Sequence, residues 1–209
     1  MSRTPRFATR ALSVGAALAL GISLTACSAG AESSGEPAAS ETTSKTASPS
    51  ASSSPTAPSP EEEAITAAEA AVREYLRVKE VSLQAPESFN IEDYDKVAIT
   101  TALTDLRNGY NGNVSHGVHQ VGGLKLEAIK DPKVSLTNKP KLSPPEIPNV
   151  IFTVCYGITE LDMVDEDGNS IFPADHPDRV ALRIGVANYE YPKGPWLVGF
   201  TEGAELKSC

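Results

Sequence analysis

The chain lacks the short motifs by which many enzymes are recognised. It contains no G-x-S-x-G nucleophile elbow, no phosphate-binding Walker loop and no G-x-G-x-x-G dinucleotide fingerprint. Their absence excludes the common α/β-hydrolase, P-loop and Rossmann sites, and it leaves no residue that we would name as catalytic. We therefore expect no cofactor. Of two interpretations of its function, a non-catalytic binding domain and an enzyme, the enzyme is the less favoured.

Metal-ligand patterns are also missing. His116 and His119 lie on a glycine-rich stretch without an evident carboxylate or cysteine partner, whereas zinc requires three or four ligands. The D-E-D-G segment at 165–168 resembles part of a calcium loop, but Met163 stands at the first ligand position and Ala174 at the position of the bidentate glutamate. We interpret this segment as a solvated hairpin turn and predict no metal site.

An apolar run long enough to span a membrane is absent near the N-terminus. The stretch from Ala11 to Leu24 has 14 residues, whereas a helix needs about 20 to cross the hydrocarbon core. It follows three arginines, Arg3, Arg6 and Arg10, which no acidic residue opposes. A basic region followed by a short apolar region is typical of an export signal, and it predicts a cleaved signal peptide over residues 1–26.

The end of this signal carries a more specific pattern. Leu24-Thr25-Ala26-Cys27 resembles the lipobox of bacterial lipoproteins, in which a large apolar residue and two small ones precede a cysteine. The resemblance implies a diacylglycerol on the Cys27 thiol, cleavage before Cys27, and a further acyl chain such as palmitate. Two or three chains give firm anchoring where one binds marginally. The alternative is an ordinary secretory signal with a coincidental cysteine.

Residues 27–59 lack the residue types that build a folded core. After Cys27 the stretch contains no aromatic residue, leucine, isoleucine or valine, and it consists mostly of Ser, Ala, Thr, Pro and Gly. This composition predicts a lipidated, disordered linker with a root-mean-square span of about 30 Å. A plain spacer is the favoured interpretation, and O-glycosylation of the linker is the alternative.

The remaining residues, 60–209, have the size of one domain with one core. From residue 61 onward they carry 24 acidic and 14 basic side chains, a net charge of 14 − 24 = −10. An acidic surface repels nucleic acid and anionic headgroups. We therefore expect no nucleic-acid partner for this domain.

Cysteines are few, and only two remain after Cys27 is assigned to the lipid. In an oxidising extracytoplasmic space, Cys155 and Cys209 most simply form a disulfide. Free or metal-binding thiols are the weaker alternative, because no C-x-x-C spacing or nearby histidine pair accompanies them.

Two periodicities order the domain. Apolar residues recur at steps of three and four from Ile65 to Leu83, after the helix-start pattern Ser59-Pro60-Glu61-Glu62, and predict a first helix that ends before Pro86. A second helix is predicted from residue 91 or 94 to about 110. Apolar and polar residues then alternate within 124–136, 150–158, 180–189 and 196–200, which predicts four strands.

The predicted fold class is α+β, with N-terminal helices packed on a curved, mostly antiparallel four-stranded sheet. This order, with W-x-V at 196–198 in the last strand, is similar to the cone-shaped fold of nuclear transport factor 2 and ketosteroid isomerase. V-C-Y at 154–156, V-D-E-D-G at 164–168, P-D-R-V at 177–180 and the terminal Cys209 resemble small actinobacterial lipoproteins. The similarity to the cone-shaped fold implies a pocket between the first helices and the sheet.

Such a fold leaves two functions open. The favoured one is a non-catalytic binding or scaffolding domain, held at the outer face of the cell membrane by the lipid, with an envelope protein or a second copy docked on its sheet. The alternative is an isomerase or dehydratase acting on a small apolar substrate in the pocket. Tyr156, Tyr189 and Trp196 are the candidate pocket residues, although core or rim aromatics are the plainer interpretation.

Overall fold

The computed structural model describes residues 57–209. The predicted signal peptide and nearly all of the predicted linker, including Cys27, lie outside the described residues. Two α-helices and six strands form the domain: α1 (Pro60–Gln84), α2 (Thr100–Ser115), β1 (His119–Val121), β2 (Lys125–Ser135), β3 (Asn149–Gly157), β4 (Asp162–Val164), β5 (Arg179–Ala187) and β6 (Leu197–Gly203). Among these residues, we find no helix that combines the length and the apolar character needed to cross a membrane.

The first helix begins as the sequence predicts. The Ser59 hydroxyl accepts a hydrogen bond from the Glu62 amide at 3.2 Å, and the Glu62 carboxylate accepts one from the Ser59 amide at 2.7 Å. These bonds, the backbone one first, lower the pKa of the Glu62 carboxyl. The resulting capping box satisfies two amide groups that the helix itself leaves unpaired.

The second helix differs from its prediction at both ends. Residues Ile91–Lys96 form a separate 3-10 helix, and α2 begins only at Thr100. The chain between them runs beside β6, where the Val198 amide donates to Val97 and the Ile99 amide donates to Val198. Because those backbone groups are used across the sheet edge, they are not available to a continuous helix. It also ends at Ser115, beyond the predicted end near residue 110.

The sheet confirms the predicted α+β class. Its four strands pair antiparallel in the order β2-β3-β5-β6. The small antiparallel pair of β1 and β4 is an addition that the sequence does not predict. α1 contacts all four strands of the large sheet, and α2 packs mainly on β6, so the helices cover one face of it.

The hydrophobic core lies between α1 and this covered face. α1 contributes a stripe of small side chains, since Ala64, Ala68 and Val72 are buried at four-residue steps. The paired strands β3 and β5 present Phe152 opposite Ile184, both almost fully buried. Small helix residues let the helix axis approach the sheet closely enough for these larger side chains to fill the space.

The two edges of the sheet are protected differently. The free side of β6 is occupied by the backbone of residues 97–99. On β2, Lys125 and Lys133 are exposed, Pro132 removes an amide donor, and the pairing with β3 shifts register twice. Charge, proline and irregular pairing all discourage addition of another strand.

The predicted disulfide is present in the structure. Cys155 of β3 and Cys209 are bonded with a Cα–Cα distance of 5.7 Å. Cys155 is 2% exposed, so the bond ties the C-terminal residue to the middle of the sheet. It closes a loop across a sequence separation of 54.

Replacing both cysteines, Cys155→Ala with Cys209→Ala, should lower the free energy of unfolding by about 4 kcal/mol, because the unfolded chain regains the entropy of the opened loop. Urea denaturation followed by circular dichroism measures this difference. Cys27→Ala is the matched control and should leave the transition midpoint unchanged. A loss under about 1 kcal/mol in the double variant would contradict the structural role of the bond.

Candidate functional site

The space where a pocket is predicted between helices and sheet is occupied by side chains. Val150, Val154 and Val186 on the covered face of the sheet are fully buried, as are Ala68 and Val72 on the helix above them. The same core cluster also contains Tyr75, Tyr94 and Tyr156. The interior is therefore a packed apolar core in this region.

The core tyrosines are unsuited to act as bases. Burial raises the pKa of the Tyr75 hydroxyl to about 12. Burial also raises the pKa of Tyr94, whose hydroxyl donates to the Ser82 hydroxyl at 2.6 Å, and the pKa of Tyr156. All three remain protonated at neutral pH, so they can donate hydrogen bonds but do not accept a proton.

The structure does not bring the three predicted pocket residues into one cleft. Tyr156 is buried in the core, at 8% exposure. Tyr189 is 56% exposed and lines a shallow cleft of about 330 Å³. Trp196 lines a separate cleft between the β5–β6 connection and α1.

The alternation in the sequence predicts a strand that reaches Tyr189, but β5 ends before this residue. β5 ends at Ala187, and the buried Asn188 side chain organises the following turn, donating to the Gly194 carbonyl and accepting from the Glu190 amide. Residues after Ala187 therefore no longer alternate between the two faces of the sheet.

A lysine on the first helix is a charged group that the sequence pattern does not single out. Lys79 is partly buried, and among the described residues it forms no ion pair and no side-chain hydrogen bond. Burial lowers the pKa of its ammonium group. The folded domain thus holds this charge at a cost in stability.

Lys79→Met should raise the free energy of unfolding by about 1 kcal/mol at pH 7, because methionine keeps the apolar stem and removes the desolvated charge. Folding lowers the pKa of Lys79, so the unfolded chain binds this proton more tightly than the folded chain does. The difference in free energy of unfolding between Lys79→Met and the parent protein therefore shrinks as pH rises towards 10.5. Urea denaturation at pH 7 and pH 9.5 measures both effects. The exposed Lys133→Met is the control, and equal stabilities of parent and Lys79→Met at pH 7 would refute the prediction.

The largest cleft that we describe lies at the far ends of the two helices. It has a volume of about 550 Å³ and lies against three separate parts of the chain. Its walls come from the end of α1 with the short 3-10 helix Pro86–Ser88 that follows it, from the end of α2 with β1, and from the turn after β4. The lining residues are Gln84, Ala85, Pro86, Glu87, Ser88, Asn113, Val114, Gly117, Val118, His119 and Glu166. This volume lies in the range of small-molecule sites.

The turn after β4 places Glu166 in this cleft. The Asp165 carboxylate accepts hydrogen bonds from the Asn169 amide at 2.8 Å and the Asp167 amide at 3.0 Å. These bonds, those from Asn169 first, lower the pKa of Asp165. The predicted hairpin turn at 165–168 is confirmed, since the Gly168 amide donates to the Asp165 carbonyl.

Gly117 makes room for the Glu166 side chain. Its φ of 62° lies in the left-handed region that favours glycine. A Cβ atom at this position would overlap the Cγ and the carboxylate of Glu166. The glycine-rich stretch that looks irregular in the sequence therefore lets two distant segments meet.

The cleft contains polar groups without partners in the domain. The side chains of Glu87, His119 and Glu166 appear in no ion pair or hydrogen bond among the described residues. In the part of the chain that the structure describes, no three His, Cys, Asp or Glu side chains are grouped so that they could hold a metal ion. The cleft offers separated acceptors to a ligand larger than a single ion.

Sequence reasoning does not find this cleft. Of its ionisable residues, His119 belongs to the two-histidine pattern with His116 and Glu166 to the D-E-D-G segment, and neither pattern relates these two residues to each other. His116 instead contacts the end of its own helix, with Nδ1 2.7 Å from the Gly112 carbonyl oxygen. Glu87 and Glu166 are 79 positions apart in the sequence, and only the folded chain brings them to one cleft.

Comparison with known proteins adds little to this geometry. No protein-family model matches the chain, and no curated protein sequence matches it. Among solved structures, the crystal structure of the intermembrane space region of the chloroplast protein ARC6 is similar, with a TM-score of 0.46 and 16% sequence identity over 67% of this chain and 95% of that chain. A similarity of this size carries no inference about function.

Proposed function

We propose that this chain is a cell-surface lipoprotein whose domain is a non-catalytic binding module. The observation that carries the proposal is the filled interior: side chains of the helices and the sheet occupy the space in which a cone-shaped enzyme would hold its substrate. Binding then takes place on the outside of the domain, at its surface clefts and its sheet.

The chemistry of the buried groups supports binding over catalysis. Apart from tyrosines, the buried polar side chains of the described residues are Ser82, Gln120 and Asn188. None of these exchanges a proton near neutral pH. An isomerase or dehydratase needs an ionisable acid or base inside its pocket, so the buried groups do not favour that alternative.

The N-terminal sequence supports the proposed location. The lipobox pattern at 24–27 and the linker that follows suit a domain tethered to the outer face of the cell membrane. A linker span of about 30 Å is enough to hold the domain clear of the headgroups. The net charge of the domain keeps it from adsorbing to an anionic membrane surface.

Cys27→Ala should release the protein from the membrane fraction into the culture medium, because the residue that accepts the lipid is removed. Fractionation of cells grown with radiolabelled palmitate measures both anchoring and acylation. Cys209→Ala is the control, and it should remain membrane-bound and labelled. A Cys27→Ala protein that stays in the membrane fraction and still carries label would refute the lipid anchor.

A binding module should form cross-links to one or a few defined envelope components on intact cells. Amine-reactive cross-linking followed by mass spectrometry tests this, with the Cys27→Ala protein in the medium as the control for proximity. Turnover of small apolar enones or hydroxy compounds by the purified protein would contradict the proposal. So would the absence of both cross-links and self-association.

A further inference from the structure

We propose that the cleft of about 550 Å³ at the ends of α1 and α2 binds an alkylammonium group, the chemistry of a lysine side chain or of a free aliphatic amine. This inference deepens the proposed binding function and depends on it. It assigns a ligand class to one site on the outside of the domain.

The charge of the cleft selects a cation. Glu87 and Glu166 belong to its walls, and no lysine or arginine does. Eight ion pairs use acidic side chains elsewhere among the described residues, but neither of these two glutamates takes part in one. A bound ammonium group would give them the charge-assisted hydrogen bonds that the fold itself does not supply.

The shape and the apolar walls select an organic cation over a metal ion. The carboxylates and the His119 imidazole are not grouped as metal ligands, so one small ion would not contact all of them. The walls also include the apolar side chains of Pro86, Val114 and Val118. An aliphatic chain can pack on these surfaces while its ammonium group donates to a carboxylate, and the imidazole offers another acceptor.

Saturation-transfer NMR on the intact chain in a non-ionic detergent tests the assignment, with n-pentylammonium chloride and Nα-acetyl-lysine methylamide as probes. We expect both to bind saturably. Glu166→Gln and Glu87→Gln should each weaken binding about fivefold or more, because each removes one charged acceptor. Glu160→Gln, which removes the same charge from a neighbouring segment outside this cleft, should change the affinity less than about twofold.

The outcomes separate this inference from the proposed function. If calcium displaces pentylammonium at matched ionic strength, or if Glu160→Gln weakens binding as much as Glu166→Gln, attraction is general and the site is refuted. No saturable binding of either probe also refutes it, while envelope cross-links on cells would leave the binding function standing. Tighter binding of the lysine amide than of the free amine identifies a peptide as the source, and the reverse order identifies a small amine.

Glu87→Gln protects the test against a purely structural effect at Glu166, which lies against Gly117. Glu87 belongs to a different element, the 3-10 helix after α1. If thermal unfolding is unchanged and both variants lose affinity, the carboxylates act on the ligand. If only Glu166→Gln loses affinity and its melting temperature falls, the turn has a structural role and the site is refuted.

Discussion

The packing of α1 on the covered face of the four-stranded sheet is the contact on which the rest of the structure depends. Ala64, Ala68 and Val72 are small enough to bring the helix close, and the large residues of β3 and β5 then fill the interior. Close packing of this kind fills the region between α1 and the sheet with side chains. It also positions the ends of α1 and α2 beside β1 and the turn after β4, where the largest described cleft opens.

Because side chains fill the interior, the proposed binding takes place at the surface of the domain. The domain offers a cleft with unpaired carboxylates at one end, shallow apolar clefts at the β5–β6 connection, and a lysine-bearing edge strand. Among the described residues, the ionisable side chains of the buried core cluster are tyrosines that burial keeps protonated. These properties fit the proposed binding module better than they fit acid–base catalysis.

Much of the fold could be predicted because its signals are local. The Ser59 capping box, the helical period of α1 and the alternation in β3 and β5 each depend on residues close in sequence. The disulfide follows from counting cysteines on the expectation that the chain is exported to an oxidising compartment, and the bond is present. The break between residues 96 and 100 escapes prediction because it arises from pairing with β6, almost 100 positions away.

The candidate site could not be predicted, because it also depends on contacts between distant parts of the chain. Glu87, His119 and Glu166 lie on three elements, and nothing in their local sequence indicates that they meet. The pocket expected for Tyr156, Tyr189 and Trp196 rests on a family resemblance and on strand alternation. That alternation ends at Asn188, whose buried side chain turns the chain outward.

The most direct test of the filled interior is xenon binding followed by NMR of the buried methyl groups, since empty apolar cavities take up xenon. The packed core predicts no saturable shift of the Val150, Val154 and Ile184 methyl signals under xenon pressure. A saturable shift at these methyl groups would reveal an interior cavity. It would contradict the account and favour the alternative, an enzyme that binds its substrate in an interior pocket.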